Sequence, residues 1–441
     1  MKKTKVLKCL LIALFVLPAL ISGCASGNDS GSAGADDGKN VTLRFSWWGG
    51  EDRHKATLAA IEAYKKIAPN VTIEAEYQGF DGYQQKIKTQ LASNTAADII
   101  QLDLPWMREL TSKSDLFLDL GSQPGLSLDG FEKTLLENFG TYNGKVQALP
   151  TGVNAYCLII NKSLMDKLGI PSDIKWDWDT IYEEGKKLHE KDSSKYLLLA
   201  DHGILAIDFT NMLKQRTGKE WIDDHYTLGF TQEEAAEALA WIDKALKAGV
   251  YQPLGESDLF FGKGEQNPKW INQEIPMTFA MSSLYITQTS VLPQGTETIT
   301  ALPVIAKDAK DTSVLVRPSQ LLAISKSTKH PEEAAKFMNW FLNDPEAALI
   351  LGDVRSIPAS KPSQEAAVKA GKINAEISNA VELGLANAGI VDNEIATNSE
   401  IDAILQEIIE KVSYGKASPE DASKELIEKL NAKLKELQGR N

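Results

Sequence analysis

Three cysteines and five histidines in 441 residues leave little material for redox or metal chemistry. His54, His189, His202, His225 and His330 lack the i, i+4 or paired spacing of a zinc site, so the sequence predicts no metal ion. Also missing are a Gly-x-Ser-x-Gly elbow, a P-loop and a Gly-x-Gly-x-x-Gly turn after a strand, so neither catalytic residues nor a cofactor are predicted. Sixty acidic residues allow many carboxylate pairs, which keeps a glycosidase dyad open without pointing to one. No apolar run reaches the ~20 residues that a membrane-spanning helix needs.

What is present begins with Lys2, Lys3, Lys5 and Lys8, then an apolar stretch from Cys9 to Ile21, then Ser22 and Gly23. That order reads as an export signal over residues 1–23. Ile21-Ser22-Gly23-Cys24 resembles the bacterial lipobox, which implies cleavage before Cys24 and a lipid on its thiol. Residues 24–40 are mostly Gly, Ser, Ala, Asp and Asn, a flexible tether that cannot bury a core. Loss of the signal removes four lysines and no acid, leaving 43 basic and 60 acidic residues and a charge of −17. Such a surface repels phosphate backbones, so no nucleic-acid partner is expected. Only Cys24 and Cys157 survive maturation; Cys157, in an apolar run, is read as a buried structural thiol. The 418 remaining residues exceed the ~250 to 300 at which one core stops growing, so two lobes are expected.

Residues Val41 to Ser46 and Val71 to Tyr77 alternate as strands, and Asp98 to Leu102 is a short apolar strand. Between them Leu58, Ile61, Tyr64 and Ala68, then Tyr83, Ile87 and Leu91, repeat at helical spacing. Strands alternating with helices at this pitch predict a parallel, doubly wound α/β sheet. Thr231 with Glu234 is a capping box, Pro331 suits a first helical position, and Ser418-Pro419 opens a terminal helix.

From Phe45-Ser46-Trp47-Trp48-Gly49-Gly50 onward the chain resembles the family 1 extracellular solute-binding proteins. Ala97 to Gln101 resembles the family's strand before the cleft, and Gly144 to Pro150 its Gly-Lys-x-x-Ala-Leu-Pro crossover. Asn161-Lys162, Leu168 to Pro171, Trp176-Asp177 and Lys329 to Phe337 follow in the family's order. The resemblance implies a two-lobed periplasmic-binding-protein-like fold with a hinge and an interlobe cleft. Lobe 1 would be 41–149 plus 321–355, and lobe 2 150–320 plus 356–441. It implies the binding subunit of a carbohydrate ABC importer, a monomer outside the cytoplasm, lipid-anchored to the cell membrane and delivering to permease subunits. Ser46 to His54 and Arg317 to Ser325 look most like receptors for pectin-derived oligosaccharides. Where such proteins tend to have Trp-Asn, this chain has Phe279-Ala280. A lipid-anchored glycosidase or lyase, and a receptor for another polar solute, are the alternatives.

A sugar ring has an apolar C–H face and a belt of hydroxyls, so its site needs flat aromatic platforms beside planar polar groups. Trp47 and Trp48 are expected in a loop at a strand's carboxyl end, where open α/β sheets bind ligands, one buried and one facing the cleft. Trp106 and Phe279 are further candidate platforms, and Glu51, Arg53, Asp103 and Arg317 are the polar candidates. A ring covering on the order of 80 Å² contributes about 2 kcal/mol, and three about 6. Micromolar affinity requires about 8, so polar contacts must supply the difference. Arg317 is the leading choice, because a guanidinium fork binds a uronate carboxylate bidentately.

Overall fold

The computed structural model describes residues 40–112 and 114–440; the signal, Cys24 and most of the tether lie outside the described residues. Three parallel strands open the chain: β1 (Val41–Trp48), β2 (Val71–Gln78) and β3 (Ile99–Leu102), with β1 between the other two. A short hairpin, β4 (Thr141–Tyr142) and β5 (Lys145–Val146), follows. Then come β6 (Leu149–Asn161), β7 (Leu198–Leu199), β8 (Met277–Met281), β9 (Thr298–Ala301), β10 (Val316–Ile324) and β11 (Ile357–Pro358). The main sheet runs β2-β1-β3-β10-β6-β8-β7, with β9 and β11 also on β6.

The sheet is mixed, not wholly parallel. β10 is antiparallel to both β3 and β6, because the chain reaches it on its way back from the second half of the molecule. The early strand-helix rhythm describes only the first three strands. The result is an α/β fold of two lobes, with the 13-residue β6 running from one sheet region to the other. Its first half pairs with β10 and its second half with β8. Strand alternation lets β6 feed two cores: Ala155, Cys157 and Ile159 enter one cluster, Tyr156, Leu158 and Ile160 another. Cys157 is buried as expected, and desolvation pushes its thiol up to about 12.

The helices form where their start signals stand. The Thr231 hydroxyl accepts from Glu234 N and the Glu234 carboxylate accepts from Thr231 N, closing the capping box of helix Gln232–Lys247. Pro331 begins helix Pro331–Asn343. The terminal helix Pro419–Arg440 buries Ala422, Leu426 and Leu430 against the second core. Residues beyond 356 divide their burial: Ala367, Ile377 and Val381 join the core of β1 and Phe337, whereas Ile401, Leu405 and Ile408 join that of β7 and β8. Among the described residues no helix is long and apolar enough to cross a membrane.

Candidate functional site

The carboxyl ends of β1, β2 and β3 carry a stack of aromatic rings. β1 keeps pairing with β2 through Trp48↔Gln78, and Gly49 N donates to Gln78 O at 3.1 Å, so Trp47 and Trp48 lie in the strand and not in a loop. Period two then sends their side chains to opposite faces of the sheet. Trp47 is fully buried beside Phe45; Trp48 is buried at 8% exposure against Tyr83 and Trp106. Neither is an open platform, and their place inside the strand corrects the expectation that they lie in a loop.

The rings that reach solvent are Tyr77, 45% exposed, and Phe80, 53% exposed. Tyr77 lies stacked on Trp47 with centroids 5.0 Å apart. Phe80 stacks on Trp106 at 5.9 Å and meets Trp48 edge-on at 5.6 Å. Each exposed ring thus rests on a buried tryptophan, which holds it rigid. Trp106, itself buried, belongs to the backing layer. Phe279 is also core: it lies parallel to Tyr156 at 5.7 Å with 4% exposure.

The polar groups separate in the same way. Glu51 pairs with Lys55 at 3.2 Å, both largely exposed, and lies within electrostatic reach of His54, whose ring contacts Tyr77 at 4.6 Å. Arg53 is half-buried, donating from Nε to Val354 O at 2.9 Å and from Nη1 to Trp48 O at 3.1 Å. Its room depends on Gly49, where a Cβ would sit 2.6 Å from Arg53 Cδ. Beside it His54 Nδ1 accepts from Trp47 Nε1 at 3.1 Å, and burial, with the charges of Arg53 and Arg355, lowers its pKa against the opposing pull of Glu51. Asp103 follows β3; burial raises its pKa, while a hydrogen bond from Leu104 N and the charge of Arg317 act against that rise. Arg317 is exposed on β10, opposite Asn154 of β6. The structure therefore brings Asp103 and Arg317 within electrostatic reach of each other.

Arg355 was not among the sequence candidates. Its guanidinium is buried, donates from Nη2 to Thr57 Oγ1 at 2.9 Å and from Nη1 to Gln101 Oε1, and lies 5.5 Å over the Phe341 ring. No described carboxylate pairs with it, and desolvation together with the charge of Arg53 lowers its pKa well below the usual range. Its carbonyl accepts from Ser319 Oγ and packs where a Cβ on Gly152 would sit only 1.9 Å away. Residue 152 must be glycine for this approach. Two guanidinium groups, Arg53 and Arg355, thus lie under the end of β1 with no acid between them. Elsewhere His202, Asp258 and Glu410 converge, their potential ligand atoms within 4.8 Å of one another, a grouping that no spacing in the sequence shows.

Several known proteins share this architecture. A periplasmic solute binding protein of Pectobacterium atrosepticum is 29% identical, with a TM-score of 0.74 over 90% of this chain and 99% of that one. A periplasmic oligogalacturonide binding protein of Yersinia enterocolitica is 26% identical over the same shares. Its TM-score is 0.77 in one structure and 0.69 in the complex with saturated digalacturonic acid. A probable amino-acid ABC transporter periplasmic-binding protein of Sinorhizobium fredii is 25% identical over 205 residues, 44% of this chain and 48% of that relative. That match spans about half of the relative's length. Residues 49–348, more than half of this chain, match the model of the bacterial extracellular solute-binding proteins, and the protein belongs to that family.

Proposed function

We propose that the protein captures an acidic, pectin-derived oligosaccharide between its lobes and delivers it to the membrane subunits of an ABC importer, without chemical change. The observation that carries this reading is the half-exposed Phe80 ring on its Trp48 and Trp106 backing at the carboxyl end of the sheet, the edge where exposed Arg317 lies within electrostatic reach of Asp103. Sugar faces need the rings; uronate carboxylates need the guanidinium groups. The Yersinia neighbour, an oligogalacturonide binding protein by name, supports the same class. Trp47, Trp48 and Trp106 take part as the rigid backing of the exposed rings.

In this reading lobe 1 is 41–149 plus 321–355 and lobe 2 is 150–320 plus 356–441, and hinge closure buries the ligand through contacts available only in the closed form. The protein acts as a monomer held to the membrane by a lipid on Cys24. An amino-acid solute is the second reading, favoured by the name of the Sinorhizobium relative.

Calorimetry with matched neutral and uronate oligosaccharides, and with amino acids, separates the readings. A carboxylate–arginine contact contributes about 1.5 to 3 kcal/mol, so Arg317→Gln should weaken a uronate ligand about tenfold or more and leave neutral sugars nearly unchanged. Tighter binding of the neutral series, equal loss for both, or heat only with amino acids would refute the uronate assignment. Chromatographic detection of shortened products would refute the binding-only reading.

A further inference from the structure

A groove of about 590 Å³ opens among the helices of the second core, and none of its lining comes from β1, β2, β3 or β10. Its size falls in the range of small-ligand sites, roughly 300–1,000 Å³. The floor is Trp241 in helix Gln232–Lys247, half-buried and braced edge-to-face by Trp178 at 4.9 Å and by Tyr251 at 6.2 Å. Trp178 is itself fixed, since its Nε1 donates to Gln215 Oε1 at 2.8 Å.

Gln215 also sets one wall. Its Oε1 accepts from Ala306 N at 2.9 Å, its Nε2 donates to Val304 O at 2.9 Å, and its carbonyl accepts from Lys310 N at 2.7 Å. The 304–310 loop is therefore held by its backbone. That loop presents the exposed side chains of Asp308 and Lys310, neither of which makes an ion pair or side-chain hydrogen bond among the described residues. On the other wall Arg216 is already engaged by Glu237 and, at 3.9 Å, by Glu234.

The lining limits the chemistry of an occupant. Arg216 and Lys310 face Glu234, Glu237 and Asp308, a formal balance of −1 with the single arginine taken, so an anion finds no free fork. A cation paired with Asp308 would leave Lys310 without a partner. A purely apolar ligand would desolvate Asp308 and Lys310 without pairing them. A neutral pyranose satisfies all three features: its C–H face on Trp241, one hydroxyl donating to Asp308, and a neighbouring hydroxyl accepting from Lys310.

We propose that this groove is a second carbohydrate site, specific for a neutral pyranose and separate from the site at the carboxyl ends of β1 to β3. It goes beyond the proposed transport role and stands without it. The test uses the protein labelled with 5-fluorotryptophan, whose nine tryptophans report separately by ¹⁹F NMR, with methyl glucopyranoside, methyl galactopyranoside and choline as probes. The Trp241 resonance, assigned with Trp241→Phe, should shift saturably with at least one glycoside in the millimolar range. The shift should persist in Phe80→Ala and Arg317→Gln, so failure of the cleft reading leaves it standing. Because Trp241 is partly structural, the deciding variant is Asp308→Ala with Lys310→Ala, which keeps the floor and should weaken binding about threefold or more. No shift with either glycoside, an unchanged titration in the double variant, loss of the shift in Phe80→Ala, or a shift with choline alone would each overturn the proposal.

Discussion

Asp208 offers a direct measurement of what burial costs in the second lobe. It lies on helix His202–Thr217, is 1% exposed, and accepts a hydrogen bond from Tyr251 Oη at 2.8 Å; no cation pairs with it among the described residues. Desolvation pushes its carboxyl from 3.8 up to about 7, with the tyrosine bond opposing the shift. The sign follows from linkage. The folded state holds a proton that the unfolded chain releases near pH 4, so stability is greatest below that pH, falls as pH rises, and levels off above 7. A shift of about three units at 1.36 kcal/mol each makes the fall roughly 4 kcal/mol at most. Asp208→Asn keeps the acceptor for Tyr251 and removes the charge. Its new amide donor costs about 1 kcal/mol if unpaired, although the Tyr156 hydroxyl, buried without a partner and within electrostatic reach of Asp208, can accept it. The variant should therefore gain about 3 to 4 kcal/mol over the parent at pH 8, and at pH 4 match it or fall about 1 kcal/mol below it. Urea unfolding at several pH values reads this as diverging midpoints at unchanged slope. Parallel profiles for the two proteins would show that Asp208 does not titrate in this window.

Three further outcomes are expected. Phe80→Ala, which removes an exposed ring and leaves the buried Trp48 and Trp106 in place, should cost about 1 to 3 kcal/mol of oligosaccharide affinity by calorimetry with little change in melting temperature. Gly152→Ala should destabilise by about 1 to 3 kcal/mol in denaturant, because the added Cβ meets the Arg355 carbonyl and backbone must move. Cys24→Ala should release the protein into the medium in a fractionation experiment, and equal retention in the membrane fraction would refute the anchor.

Local signals were legible in the sequence, and signals made by distant chain segments were not. The capping box of Thr231 and Glu234, the Pro331 helix start and the alternation of β1 and β2 each involve residues within a few positions of one another, and each formed as expected. The sequence places the tryptophan pair in a loop, whereas the structure keeps both rings in β1 and buries them. Which ring of a pile is outermost depends on what packs behind it: Tyr77 over Trp47 comes from a different strand, and Phe80 from the turn after β2. Phe279 is buried for the same reason, in β8 against Tyr156 and the cluster around it, more than a hundred residues away in the chain. Arg355 meets Gln101 and Thr57 across more than 250 residues, and nothing beside it in the chain marks it as buried.

Arg355 also separates the protein's overall charge from the charge that a ligand meets. The whole chain carries −13 at neutral pH, a property that governs solubility and long-range encounter. At physiological ionic strength the screening length is about 8 Å, so most of the exposed acids contribute little at the end of β1. There the near charges are Arg53 and Arg355, both partly or wholly out of water, and the exposed Glu51 and Asp52 of the first helical turn, with Arg317 and Asp103 beyond β3. Both guanidinium groups are drawn partly or wholly out of water without a carboxylate partner among the described residues, so a carboxylate placed there would offset part of the desolvation cost. The local charge at this edge of the sheet thus includes three arginines, one on the first helix and two on segments that return from the far half of the chain, in contrast to the sign of the protein as a whole.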